Sequence, residues 1–356
     1  MSSSSPSGAT RFASCPRLWS WVALVWVACL SAWCLTAAFV TPEPGSAAYQ
    51  GGNDLQLYRR IVERVHDGEG YYDAAAVELR ERGYPTASLF NWRFPIYAWL
   101  LGAFPGPQAG RWVLVALSCA TLFFAFKMCL AEAGPLRAVF GALVLIGVLS
   151  WSFDGDAFFA QELWAGVLLF LSVCALALER RVLGVFAGVL ALFVRELAGP
   201  YVLVCAILAI RGRRRIEATL WLVGLVLYGC LLGYHATQVY QRLTPADRVG
   251  SSWLQWGGAS FVLDTVRMNE WLFKTPTWVR AIYLPLALLG LLGWRGETGL
   301  LMAVTAHGYC LLFAAVGQPF NVYWGLLDAP LLAVGIVAGP PALRDLARRI
   351  TASGAV

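Results

Sequence analysis

The chain has 356 residues, 59% of them hydrophobic and 13% charged, with a mean hydropathy of +0.63 and a formal net charge of +6. Soluble domains carry about 25% charged residues, and one aqueous core cannot hide this much apolar surface. The composition excludes a soluble globular enzyme and leaves an all-α integral membrane protein, because in lipid a helix can be apolar all round. The nine cysteines lie mostly inside apolar runs, form no CxxC pair and are odd in number. They read as small apolar side chains rather than a disulfide framework or a zinc site. The basic residues cluster in short loops between apolar runs, which speaks for topology and against nucleic acid as a partner.

Met1 to Pro16 is Ser-rich and reads as a disordered tail (1–17). Leu18 to Val40 is too long for a signal-peptide core, so it is a retained span that exits through Thr41-Pro42-Glu43-Pro44-Gly45. Further apolar runs cover Trp112 to Leu130, Leu136 to Trp151, Phe158 to Leu178, Ala218 to Tyr234, Trp278 to Trp294, Gly299 to Val316 and Val322 to Val337. Val182 to Ile210 is interrupted by Arg195-Glu196-Leu197-Ala198-Gly199-Pro200 and reads as two short helices meeting at that break. Phe94 to Phe104, eleven residues, spans roughly 17 Å as a helix and is too short to cross.

With that segment re-entrant or interfacial, the clusters Arg180-Arg181, Arg211 with Arg213 to Arg215, Trp294-Arg295 and Arg344 to Arg349 all fall on one side. The positive-inside rule makes that side cytoplasmic. The expectation is about ten spans (18–340), both termini cytoplasmic (with 341–356 as the C-terminal tail), and two large outer loops at 41–93 and 235–277. A bacterial inner or plasma membrane fits the loop chemistry. Weak internal symmetry of the kind that marks many transporters is not found.

The first outer loop is the most informative stretch. Leu55, Tyr58, Ile61, Val62 and Val65 recur at helical spacing, with Arg59, Arg60, Glu63 and Arg64 elsewhere around the wheel. This describes an amphipathic helix on the membrane surface. A second one runs from Asp73 to Arg82 and stops at Gly83, a natural C′ residue. Asp54 stands where the first span hands over to this surface. It is placed to take a proton from an acceptor hydroxyl, or Asn53 or Asp54 caps the helix, with Gln56 completing a capping box from Asn53. Arg93, in Phe90-Asn91-Trp92-Arg93-Phe94-Pro95, suits either a lipid-linked phosphate or an interfacial anchor beside Trp92.

Arg195-Glu196 interrupts an apolar stretch, where charge costs about 2.5–3.5 kcal/mol per residue and seldom persists without a use. Arg195 reads as a second phosphate-binding arginine, held by Glu196 or by a carboxylate from another loop, or as half of a neutral pair. Glu162, one turn into a span, reads as a partner for Arg93 or Arg195 or as a second working carboxylate; Asp154 and Asp156 read as solvated. The 235–277 loop, with Trp253, Trp256, Trp271, Arg267 and Lys274, fits a lid, a platform for sugar rings or an interfacial belt. His235 and His307 read as structural. No HExxH, GxSxG, P-loop or GxGxxG pattern occurs in a usable context.

Several of these pieces occur together elsewhere: an acid just after span one, surface helices, the Gly70-Tyr71-Tyr72 turn, Gly83-Tyr84-Pro85, Arg93-Phe94-Pro95 and a later Arg195-Glu196 at the outer end of a span. In this the chain resembles the GT-C superfamily of membrane glycosyltransferases, especially its polyprenol-linked, mannosyltransferase-like branches. The resemblance is architectural over most of the chain and reaches single residues only across about Gly51 to Pro95 and at Arg195-Glu196. It implies a polyprenyl-phosphate sugar donor, an unspecified glycan, lipid or protein acceptor, and inverting displacement on the non-cytoplasmic face. Asp54 would be the general base, with Asp73 in reserve, and Arg93, Arg195, Glu196, Glu162 and Tyr58 the substrate-binding residues. Many members carry two acids where Asn53-Asp54 stands here, so no tightly held metal and no other cofactor is expected. The competing readings are a transporter or flippase of an anionic lipid or solute, and a noncatalytic membrane scaffold.

Overall fold

The computed structural model describes residues 10–40, 51–248, 250 and 254–351, and among them helices are the only regular structure. In chain order they are α1 (Arg17–Val40), α2 (Gly51–His66), α3 (Tyr71–Glu81), α4 (Pro95–Gly102), α5 (Pro107–Ala133), α6 (Pro135–Leu149), α7 (Gln161–Ala177), α8 (Arg181–Val194), α9 (Gly199–Arg211), α10 (Arg215–Tyr240), α11 (Gly258–Thr265), α12 (Glu270–Phe273), α13 (Thr277–Gly293), α14 (Gly296–Val316) and α15 (Ala329–Thr351). Six of them (α1, α5, α6, α10, α14 and α15) are long and apolar enough to cross a bilayer, and α7, α8 and α13 are shorter apolar helices. The protein is a multi-pass membrane protein.

Side-chain contacts sort the turns onto two faces. On the first face Thr10 N–H donates to Asp345 Oδ2 at 2.8 Å, Arg11 to Gly296 O at 3.1 Å and Arg349 to Cys15 O at 2.9 Å. Trp294 Nε1 donates to Glu132, Arg214 to Glu297 at 2.7 Å, and Arg181 and Arg214 share Glu217. These bonds gather every arginine cluster of the sequence analysis on one face. The opposite face holds α2, α3, α4, the 150–160 turn, the 195–198 break, residues 241–276 and residues 317–328.

α4 begins beside Arg93 on that opposite face, and its last residue accepts there too, with Gly102 O 2.9 Å from His66 Nδ1 at the end of α2. At eight residues it stays on one side. α8 and α9 are about 21 and 20 Å long, against about 30 Å of hydrocarbon. With their other ends on the arginine face, the break between them lies within the depth of the bilayer. Irregular backbone at such depth needs protein around it; Arg195 and Ala198 are buried, at 1% and 0% exposure, and Glu196 and Leu197 are half-buried.

Helix crossings are close where glycine permits. A Cβ on Gly290 of α13 would lie 2.0 Å from Gly335 O of α15, so only a hydrogen fits and the two backbones meet directly. Gly166 of α7 admits Leu326 O in the same way, which seats the 3-10 helix Val322–Leu327 against the bundle.

Three expected boundaries move. The tail ends sooner than Pro16, because Arg11–Ser14 forms a 3-10 turn with Phe12 buried against Ala342 and Leu346. The last span is α15 rather than Val322 to Val337: the chain remains helical past Pro340 and Pro341 because Thr10 and the Phe12 cluster pin Asp345 and Leu346. The tail expected at 341–356 is therefore helix as far as Thr351. Residues 1–9 of the first tail, the Thr41–Gly45 exit turn, Trp253 and the Asn53 side chain lie outside the described residues.

Candidate functional site

α2 buries the face its sequence announced, with Leu57, Tyr58, Ile61 and Val62 all at 5% exposure or less. Asp54 precedes Tyr58 by one helical turn, so the carboxylate and the phenol stack on one side of α2. Asp54 is the fourth residue of the helix rather than the residue before it. Its oxygens are engaged elsewhere: Tyr84 O–H donates to Oδ1, and Tyr323 O–H donates to Oδ2 at 2.7 Å. The capping role considered for Asp54 gives way to these two contacts.

Tyr84 is delivered by the end of α3. Gly83 takes a φ of 72°, Gly83 N–H donates to Arg80 O at 3.0 Å and Tyr84 N–H to Leu79 O at 2.9 Å. This is a Schellman stop, which a glycine at C′ makes inexpensive. Burial, and next the charge of Asp54, raise the pKa of Tyr84, so it keeps the proton it donates. Burial likewise pushes Tyr58 up to about 12.

Arg93 ends the 3-10 helix Leu89–Trp92 at a φ of 52° and a ψ of 166°, a region nearly reserved for glycine that costs about 1–3 kcal/mol. The turn sends its guanidinium back under α2. Nε donates to the Tyr58 oxygen at 2.9 Å, Nη1 donates to Phe90 O at 3.0 Å, and the same Nη1 lies 3.6 Å from Glu196 Oε1. Glu196 Oε1 also accepts from Arg195 Nη1 at 2.9 Å, and Arg195 Nε stands 2.8 Å from Glu162 Oε1. That last pair is ionic contact without an aligned hydrogen bond, because Arg195 Nε and both Glu162 oxygens lack hydrogen-bond partners. The result is a row of alternating charges, Arg93, Glu196, Arg195 and Glu162, running from the surface helix into the bundle.

Two cavities meet at Asp54 and Tyr58. The first, about 430 Å³, adds Asp154, Asp156, Glu162, Glu270 and Lys274 to Asp54, with an apolar wall that includes Trp151, Met268 and Phe273. Five carboxylates line it against one ammonium, with Arg59 2.9 Å from Asp156 and Arg195 against Glu162, so it is acidic by less than the lining alone suggests. The second, about 270 Å³, is lined by Tyr84, Ser88, Asn91, Arg93, Gln318 and Asn321 besides the shared pair. Its charges are one guanidinium and Asp54. Asn321 is 1% exposed and its Nδ2 has no hydrogen-bond partner, leaving a donor beside that space.

Of the residues singled out from sequence, the structure brings together Asp54, Tyr58, Arg93, Glu162, Arg195 and Glu196. Arg195 lines neither of the two cavities; it is enclosed between Glu162 and Glu196. Asp73 stands apart, exposed and 2.8 Å from Arg242 Nε. His235 is buried with Nδ1 3.1 Å from the Tyr72 hydroxyl, and His307 Nδ1 meets Ala303 O, both within the packing. The 235–277 loop lends Met268, Glu270, Phe273 and Lys274 to the first cavity, while Trp256 faces outward.

Sequence reasoning did not single out Tyr84, Tyr323, Asn91 or Asn321 as site residues. It also passed over Arg280, which is buried in α13 and bonded to Asp264 Oδ1 at 3.1 Å; a lone arginine in an apolar run was the available signal. Among the described residues no group of three or more His, Cys, Asp or Glu side chains has the spacing to hold a metal ion.

No protein family, curated protein or solved structure matches the chain. The reading of the site therefore rests on its chemistry.

Proposed function

We propose that the protein is a membrane glycosyltransferase that moves a sugar from a polyprenyl-phosphate donor to an acceptor hydroxyl, with inversion and with Asp54 as general base. One observation carries the reading: the Asp54 carboxylate stands on the wall between two cavities of unlike charge. Phosphate is repelled by the acidic side chains that line only the first cavity, Asp154 and Glu270 foremost, and attracted by Arg93 in the second. The donor accordingly occupies the Arg93 side and the acceptor the acidic side. Each Asp54 oxygen has two lone pairs, and a tyrosine takes one, which leaves room for the acceptor O–H. As Asp54 takes that proton, the acceptor oxygen attacks the anomeric carbon opposite the phosphate. The carbon–oxygen bond to phosphate breaks, and polyprenyl phosphate departs. Arg195 acts by positioning, holding Glu162 at one cavity and Glu196 against Arg93.

This reading adopts ten membrane helices (α1, α5 to α10, and α13 to α15), of which α8 and α9 meet short of the far surface, both chain ends in the cytoplasm and a bacterial inner membrane as the setting. The arginine face is then cytoplasmic, and the site opens on the other side. A transporter would place its polar groups near the midplane with access from both faces. Here both cavities, and the charges that line them, belong to one face.

The test is transfer of radiolabelled sugar from polyprenyl-phosphate-sugar lipids in membranes holding wild type or Asp54→Asn at equal expression. Product with wild type and none with the variant is the expected result. Equal product from both removes Asp54 as the base. Transport of labelled lipid without transfer favours the flippase reading.

A further inference from the structure

The arginine face carries a groove in which arginines that topology accounts for meet an exposed apolar strip that neither topology nor the proposed transfer requires. It is about 560 Å³, lies between the starts of α8 and α10, and is lined by Arg181, Arg213, Arg214 and Arg215 with Glu217 as its one acid. Glu217 is buried and takes up charge from Arg181 and Arg214 together, so it fixes those two guanidinium groups across the floor. Arg213 and Arg215 form no ion pair among the described residues and are exposed. Glu179 also pairs Arg181 and Glu297 also pairs Arg214, so the positive charge the groove keeps after its pairs are counted is that of Arg213 and Arg215.

Below the arginines the wall turns apolar. Val182 is 71% and Ile216 79% exposed, and Leu220 continues the strip one turn deeper along α10. α8 and α10 both begin here, neither has a side-chain cap, and their free N–H groups add positive potential at the mouth. The turn leading into α10 carries Arg213 at a φ of 53°, where glycine would be easier. An arginine held there at a conformational cost keeps a fourth guanidinium at the rim.

We infer that this groove binds an anionic phospholipid, its phosphate among Arg181, Arg213 and Arg215 and its acyl chains along Val182, Ile216 and Leu220. Free phosphate satisfies the arginines and leaves the apolar strip unused. A zwitterionic lipid satisfies the strip but brings a cation into a groove that already has a surplus of them. A basic pocket between membrane helices at headgroup level is the usual seat of such a lipid.

The experiment is a melting curve of the purified, detergent-solubilised chain with dioleoylphosphatidylglycerol, dioleoylphosphatidylcholine or inorganic phosphate. Phosphatidylglycerol is expected to raise the melting temperature by on the order of 5 °C, as a ligand well above its dissociation constant does. The other two should leave it within about 1 °C. The variant R213G/R215Q removes both unpaired charges and relaxes the strained turn, so it should fold and lose most of the rise. R213G alone should lose about half, should the pair not purify. R348A, exposed on the same face, should keep the full rise. An equal rise with phosphatidylcholine, an equal rise with inorganic phosphate, or a full rise in R213G/R215Q each overturns the inference.

Discussion

The two faces of this molecule use the same side chains to opposite ends. On the cavity face, arginine and glutamate alternate in a buried row from Arg93 to Glu162, so nearly every charge is answered within the protein. On the arginine face, guanidinium groups fan out at helix ends, and Arg213 and Arg215 form no ion pair among the described residues. The difference follows from water. A charge in the α8–α9 break has no solvent to fall back on and needs a partner, whereas a charge at the end of a span keeps its hydration and is free to meet something else. Pairing marks the place where the protein holds a geometry; lack of pairing marks the place where it meets its surroundings.

That contrast is exposed to test, beginning with the largest effect. Asp54→Asn should lower sugar transfer by about 100- to 10,000-fold, the usual contribution of a positioned base, while Arg348→Ala leaves it unchanged. Comparable losses in the two would dissolve the distinction between the faces. Arg195→Met strands Glu162 as a buried charge, while Glu196 keeps Arg93, and should cost about 3–5 kcal/mol of stability, read as a fall in melting temperature in detergent. Arg348→Ala should shift stability by no more than about 0.5 kcal/mol. An unmoved melting temperature in Arg195→Met would mean the buried row is ornamental to folding.

Tyr84→Phe removes one of the two donors to Asp54, about 1 kcal/mol of hydrogen bonding. A fall in kcat on the order of five- to tenfold with KM steady is expected; a change in KM alone would relocate Tyr84 to substrate binding. The smallest effect concerns Asp247, which accepts from Arg80 Nη2 at 2.9 Å, from Thr86 and from Thr244 N–H at 2.6 Å, fastening the second outer loop to α3. The Arg80 guanidinium holds its carboxyl below the usual carboxylate range. A carboxyl lowered on folding stabilises fully above its unfolded pKa of about 4 and loses that contribution as pH falls through the lower folded value. Proteolysis of the 241–277 loop should therefore rise as pH drops below about 4, and Asp247→Asn should show the same susceptibility at pH 7. A loop equally resistant in both would show that Asp247 is not its fastener.

What the sequence disclosed followed from local rules. The buried face of α2, the stop at Gly83 and the non-crossing of α4 are all set by spacing, by glycine and by length, and each is visible without a fold. The need of Arg195 for acids was legible too, because charge at that depth must be answered. Which acids answer it was left between Glu196 and another loop, and both contribute. The partners of Asp54 were beyond reach, since Tyr84 and Tyr323 lie 30 and 269 residues from it and nothing in the periodicity of either segment points to α2. The end expected at residue 340 moves for the complementary reason: contacts with the Thr10–Phe12 segment, far away in sequence, carry the helix past Pro340 and Pro341 to Thr351.

Those same contacts bear on how the protein is made. α1 packs on α11, α13 and α15, and Trp26 places its ring 5.2 Å from that of His307. Every one of these neighbours is translated long after α1, since α11 begins only at Gly258. α1 must therefore wait in the bilayer, or in the care of the insertion machinery, until they are made. A chain cut short before α11 leaves it without these three partners, a visible flag for quality control.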